Sequence, residues 1–245
     1  MPVATQRPPM MRAFLRRHAL LPALGFALAA ISLPGAADLA IADWIYGLEG
    51  GRWALHHHYV TQFLLHDVAK RVEIIAGVAI LVTALASTRV PQLRVWRRAL
   101  WYLAVTLPVS VGLVGGLKSL GRGLCPWDLS RYGGDQPDTS YFAAAPGQTI
   151  GGHCFPAGHA AGGYTFLALY FVCLQVRPQW AGRGLAVGIG LGLLLGIDQQ
   201  LRGAHFLSHD LWTAAICWFT SLGFYLLFFR RQSLPGVYCS PVSAQ

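Results

Sequence analysis

Three short segments hold the residues able to do chemistry: KSLGRGLCPWD from Lys118, CFPAGHA from Cys154 and LRGAHFLSHD from Leu201. Between them they offer the cations Lys118, Arg122 and Arg202, the imidazoles His159, His205 and His209, and the carboxylate of Asp210. That set suits phosphate chemistry. Fixed cations neutralise phosphoryl oxygens, one imidazole attacks phosphorus, and another protonates the leaving oxygen. Gly158 opens a predicted helix, and the first N–H groups of a helix can face an anion. His205 and His209 are four residues apart, so on a helix they are neighbours. The second imidazole can then fix the tautomer of the first, as a carboxylate would.

These segments sit at the ends of long apolar runs. The chain has 245 residues, of which 54% are hydrophobic and 12% charged. A soluble domain of this size carries roughly a quarter charged residues. Runs over about 14–33, 72–86, 99–117, 160–176, 184–196 and 211–229 approach the roughly 20 apolar residues that cross a bilayer. The fifth is glycine-rich, which lets helices approach closely. Residues 37–70 mix apolar residues with Asp, Glu, His and Gly. They read as an outer-face loop with an interfacial amphipathic segment, where Trp44, Tyr46, Trp53 and Tyr59 suit the headgroup zone. Residues 118–155 form the longest connection. The first run also has the basic start and apolar core of a cleavable signal peptide, with small residues at Gly35–Ala37. Its length and Pro34 favour a retained helix.

The expected architecture is therefore all-α: one polytopic membrane domain over 1–245, a helix bundle of about six transmembrane helices. Arg7, Arg12, Arg16, Arg17, Arg89, Arg94, Arg97, Arg98, Arg177, Arg183, Arg230 and Arg231 fall on one side, twelve of the 19 basic residues. The positive-inside rule puts that side, and both termini, in the cytoplasm. Residues 37–70, 118–159 and 200–210 then share the outer face, together with eight of the nine histidines. The net charge of +9 is explained by this distribution. No stripe of basic and aromatic residues resembles a single-strand-binding surface, so nucleic acid is excluded as a partner.

Over residues 99–229 the three segments resemble the type-2 phosphatidic acid phosphatase superfamily. The family pattern is Lys, six residues, Arg-Pro; then Pro-Ser-Gly-His; then Ser-Arg, five residues, His, three residues, Asp. Lys118 and Pro126 fit the first motif, but Cys125 stands where the family has Arg. Arg122 shares a face with Lys118 if the helix continues and is taken as the replacement cation. The alternative is an Arg that reaches to headgroups. The second motif reads Pro156, Ala157, Gly158, His159, with Ala157 in place of Ser. In the third, His205 falls on the nucleophile, His209 on the orienting Asp, and Asp210 one position late. Gln199 takes the Arg position, with Arg202 three residues on, nearly the same face if the stretch is helical.

The resemblance implies a membrane lipid phosphatase that acts on a phosphate monoester or diphosphate through a phosphohistidine, without metal or cofactor. His205 would be the nucleophile, with His209 or Asp210 orienting it; the reverse assignment, His209 as nucleophile, stays open. His159 would be the general acid. Lys118, Arg122, Arg202 and the Gly158 N–H would hold phosphate. The partners are a phosphorylated lipid and the bilayer. The expected location is a bacterial inner membrane, with the site facing the periplasm.

Cys125 and Cys154 lie on that outer face, where disulfides persist. They are expected either to bridge the first two motif segments or to remain two thiols in apolar surroundings. Three other readings stay open. A lipid hydroxyl in place of water would make the same site a phosphotransferase. The outer histidines offer metal ligands, His205 and His209 at helical spacing, but no third ligand recommends itself. A lipid-binding or transport protein would put charge along a permeation path, whereas here the run centres are nearly free of it.

Overall fold

The computed structural model describes the backbone of residues 8–121, 123–138 and 152–229. Among these the chain is helical, without strands; Leu129 and Gln136 form an isolated bridge. We number the main helices α1 (Met11–Ser32), α2 (Ala36–Leu48), α3 (Ala69–Ala86), α4 (Arg97–Leu120), α5 (Gly158–Val176), α6 (Ala181–Leu201) and α7 (Leu207–Phe229). A π-helical segment, Tyr59–Val68, leads directly into α3. Residues 37–70, expected as a loop with an interfacial amphipathic segment, contain more helix than that reading suggests. Two helical pieces fill most of that stretch, and Gly35 at φ +93° turns the chain between α1 and α2.

Five of these helices are long and apolar enough to cross a membrane: α1, α4, α5, α6 and α7. α3 has only 18 residues, and Lys70, Arg71 and Glu73 are among them, whereas each of the other five keeps an 18-residue apolar stretch with at most two charges. Below that turn α3 is apolar, and Val72, Ile74, Ile75, Val78, Val82 and Leu85 are exposed. On a bilayer-crossing element such side chains face lipid tails.

Close backbone approach sets the packing of α5 against α6. Gly184, Gly188, Gly192 and Gly196 recur every four residues along α6, one face of a helix. A Cβ at Gly188 would lie 2.5 Å from the Leu167 nitrogen, and one at Gly184 would lie 2.7 Å from the Leu169 oxygen. At Gly192 it would enter the Tyr164 ring. α4 is different. Pro108 lies mid-helix and cannot donate to the Ala104 carbonyl, a defect that membrane helices tolerate when neighbours compensate. The same region is tied to α5 by Thr165, whose hydroxyl donates to the Leu107 oxygen at 3.1 Å.

Two ends of the bundle are built differently. Phe14, Tyr102, Phe171, Tyr225 and Phe229 are buried together at the end flanked by Arg12, Arg97, Arg98 and Arg177. Here the Tyr102 hydroxyl donates to the Ser221 oxygen at 3.0 Å. At the opposite end Ala42, Leu124, Leu129, Tyr132 and Phe206 form a small roof, with Tyr46 and Trp53 against it. α2 is pinned there by Asp43, which accepts from Arg131 at 3.0 Å and from the Tyr132 hydroxyl at 2.8 Å. It also caps α7 in trans. The Asp38 carboxylate accepts from the Ser208 N–H at 3.0 Å and from its hydroxyl, satisfying donors that a helix start leaves open.

Candidate active site

Under the roof, the start of α5 is stitched to α7. Thr213 donates to the Ala157 oxygen at 3.2 Å and to the His209 oxygen at 3.0 Å. Cys125 and Cys154 are joined as a disulfide, with Cα atoms 5.3 Å apart, so the end of α4 is fastened to the segment entering α5. An Asp128 carboxylate oxygen lies within 4.8 Å of both sulfurs, but sulfurs bonded to each other offer no thiolate to a metal. The Cys154 backbone accepts hydrogen bonds from both His205 and His209. The bridge therefore holds the peptide on which both imidazoles are seated.

His205 is 4% exposed and lines a cavity of about 690 Å³. Gly203, at φ +69° and pressed against Trp53, makes the turn from α6 that delivers it. Nδ1 of His205 lies 3.4 Å from Nδ1 of His209. At such a contact one nitrogen can carry a proton and the other must accept it. Burial holds His205 well below the usual imidazole range, helped by His209 and Lys118 and opposed by the Cys154 hydrogen bond. It is a neutral base at pH 7. His209, 2% exposed, stands behind it and is not among the described residues lining the cavity.

His159, at the start of α5, also lines the cavity. Its Nε2 lies 2.7 Å from the Leu65 oxygen, and because a carbonyl only accepts, that nitrogen carries the proton. The His66 ring stacks on it with centroids 4.6 Å apart. Lys118 crosses the same helix start: a Cβ at Gly158 would sit 3.4 Å from Lys118 Cδ and 3.7 Å from Nζ. An ammonium and free helix N–H groups thus face one point beside His205 and His159.

The remaining motif residues go elsewhere. Asp210 is fully buried on the α6 side, where Gln200 donates to Oδ2 and Gly196 leaves room for the carboxylate. The Arg202 guanidinium donates to the His56 oxygen at 3.1 Å, to Gln199 at 3.3 Å and to Gln62. It ties the segment before α3 to the end of α6 and is not among the described lining residues. α4 ends at Leu120. Arg122 itself lies outside the described residues.

Sequence reasoning missed His66, Lys70 and Glu73, which complete the polar end of the cavity. The signal was there in the spacing. Positions 66, 70, 73, 74, 77, 78 and 81 all line the cavity and recur at intervals of three and four, one stripe of a helix. The stripe is polar at the roof and apolar below, where α4 contributes Leu103, Leu107 and Val111.

Fold and site together define an integral membrane helix bundle with a candidate phosphate site at the head of a lateral, largely apolar cavity. The family model of the PAP2 superfamily matches residues 99–233, more than half of the chain, and the chain belongs to that superfamily. Membership supports a phosphatase-like function. No significant match was found among curated proteins or among solved structures.

Proposed function

We propose that the protein is a lipid phosphatase of a bacterial inner membrane, with six crossings, both termini in the cytoplasm and the site facing the periplasm. The observation that carries this reading is the composition of the cavity. Lys118, Gly158, His159 and His205 meet at one end, and an apolar channel between α3 and α4 leads away from them. A headgroup phosphate fits the first and an acyl or prenyl chain the second. α3 is the sixth crossing: its exposed apolar face demands lipid, and its charged residues, Lys70, Arg71 and Glu73, all fall within its first five residues.

In this reading Lys118 and the N–H groups at the start of α5 hold the phosphate. The neutral His205 attacks phosphorus, forming an N–P bond as the bond to the lipid oxygen breaks. His159 gives that oxygen a proton. With Nε2–H engaged by Leu65, His159 acts as the imidazolium: its Nδ1 first takes the proton that a phosphate monoanion brings, and that is the proton delivered to the leaving oxygen. Water then attacks the phosphohistidine, its proton passes to His159, and inorganic phosphate leaves. His209 orients His205, the role its Nδ1 contact favours over Asp210. For a diphosphate the leaving group is the lipid monophosphate.

The test is phosphate release by purified protein from a panel of lipid phosphates. His205→Ala is expected to lower kcat by about a thousandfold or more, as loss of a nucleophile does. His159→Ala should cost roughly a hundredfold or more. Full activity in both variants would refute the mechanism.

A further inference from the structure

Glu73 is one of the cavity-lining groups to which the phosphatase reading gives no task. Its Oε1 is buried without a hydrogen-bond partner among the described residues, although it lies on a wall of the cavity. The carboxylate occupies space opposite α5 that exists only because residue 162 is glycine; a Cβ there would overlap both oxygens. Burying an acceptor without a donor is costly in an apolar medium. An ionisable residue in a membrane-embedded wall is retained for function by default.

Its depth says what it could meet. Gly162 follows Gly158 by four residues, about 6 Å of helix rise. If phosphate sits at Gly158 and Lys118, then Glu73 faces the part of the ligand a few bonds beyond phosphorus. Past it come Ile74, Gly77, Val78 and Phe166, which suit only hydrocarbon. Thr165 lies past it too, but its hydroxyl is spent on the Leu107 oxygen, so among the described lining residues Glu73 is the last with an unused acceptor on the way from phosphate to tail.

Resting on the lipid-phosphatase reading, we propose that Glu73 is a specificity residue. It accepts a hydrogen bond from a hydroxyl or amide N–H that the lipid carries a few bonds from its phosphate. The cavity then selects glycerol- or sphingoid-type phosphates with a free donor over prenyl-type phosphates, which have none. A site built to hydrogen-bond a substrate hydroxyl rejects the analogue lacking it far more strongly than an apolar pocket could.

The experiment uses two lipids of equal chain length: oleoyl glycerol phosphate, with a hydroxyl on the middle carbon, and oleoyloxypropyl phosphate, without it. Hydrolysis of both is measured, along with binding of their non-hydrolysable phosphonates, for the full-length wild type and for Glu73→Gln, Glu73→Ala and Glu73→Leu. The wild type should favour the hydroxyl lipid by about tenfold or more in kcat/KM and in Kd. Glu73→Gln, which keeps an acceptor, should retain most of the preference. Glu73→Ala and Glu73→Leu should lose it, by weakening the hydroxyl lipid and sparing the other. Equal affinity of the wild type for the two phosphonates overturns the proposal whether or not any variant folds, as does an unchanged preference in a folded Leu variant. Phosphate release from neither lipid, with the phosphonate preference intact, would sink the hydrolase reading and leave the role of Glu73 standing.

Discussion

The two sides of α5 use the same residue for opposite ends. Toward α6, Gly163 meets backbone: a Cβ there would lie 2.5 Å from the Gly192 nitrogen and the Leu191 oxygen. Toward the cavity, the nearest atoms to a Cβ at its neighbour Gly162 are the far end of the Glu73 side chain. Gly77 on α3 and Gly112 on α4 have nothing within 4 Å. On the closed side glycine lets two backbones touch, in a medium where packing rather than water exclusion drives association. On the open side it leaves volume for a ligand. A small residue in a membrane helix is thus no indicator of its role until its neighbour is known.

The comparison breaks most visibly on the closed side. Gly188→Leu must separate α5 from α6, since the atom it would strike belongs to the Leu167 backbone. It should destabilise by about 3 kcal/mol or more, at or beyond the upper end for overpacked cores. Gly163→Ala should cost about 1–3 kcal/mol for the same reason. Thermal unfolding in detergent reads both, and near-wild-type unfolding of Gly188→Leu would show that the interface yields.

Reduction of the Cys125–Cys154 bridge probes the site end without touching either face of α5. A loop of this size stabilises by about 2–4 kcal/mol, so the midpoint should fall on reduction. Hydrolysis should slow as well, because Cys154 seats both His205 and His209. A thiol count of the denatured protein that is the same with and without reductant would show that no bridge exists.

The open side should barely register in stability. Gly162→Ala is expected to fold, displacing the Glu73 side chain, and to change the rates with different lipids. Gly77→Leu should unfold at nearly the wild-type temperature, because nothing lies near its Cβ. It should lose activity on long-chain substrates while keeping it on a short-chain phosphate. Equal loss on both would mean that the cavity does not house the chain.

The sequence carried these regions unevenly. The apolar runs of α1, α4, α5, α6 and α7 are long enough to be read from hydropathy alone, and His159 and His205 stand at helix ends within motifs of fixed spacing. α2 and the π-helical segment were harder to see. His66 and Asp67, bonded to each other, interrupt the apolar pattern of the π-helical segment; Asp38 and Asp43 interrupt that of α2 because they bond to other parts of the chain, Asp38 to Ser208 and Asp43 to Arg131 and Tyr132. Such long-range partners leave no local signature. The same is true of Arg202. Its spacing suggests a phosphate ligand, whereas its guanidinium is spent on His56, Gln62 and Gln199. The stripe from His66 to Leu81 was legible in principle, but its polar upper turn reads equally well as the exposed start of a helix.

The central claim is that His205, and not His209 behind it, forms a bond to phosphorus. It is tested most directly by mixing the purified protein with a lipid carrying radiolabelled phosphate, stopping the reaction within one turnover in alkali to preserve phosphohistidine, and locating the label by peptide mapping. The account predicts transient label on the peptide at His205, absent in His205→Ala and longer-lived in His159→Ala. Label on His209, or phosphate release with no covalent label at any time, would contradict it.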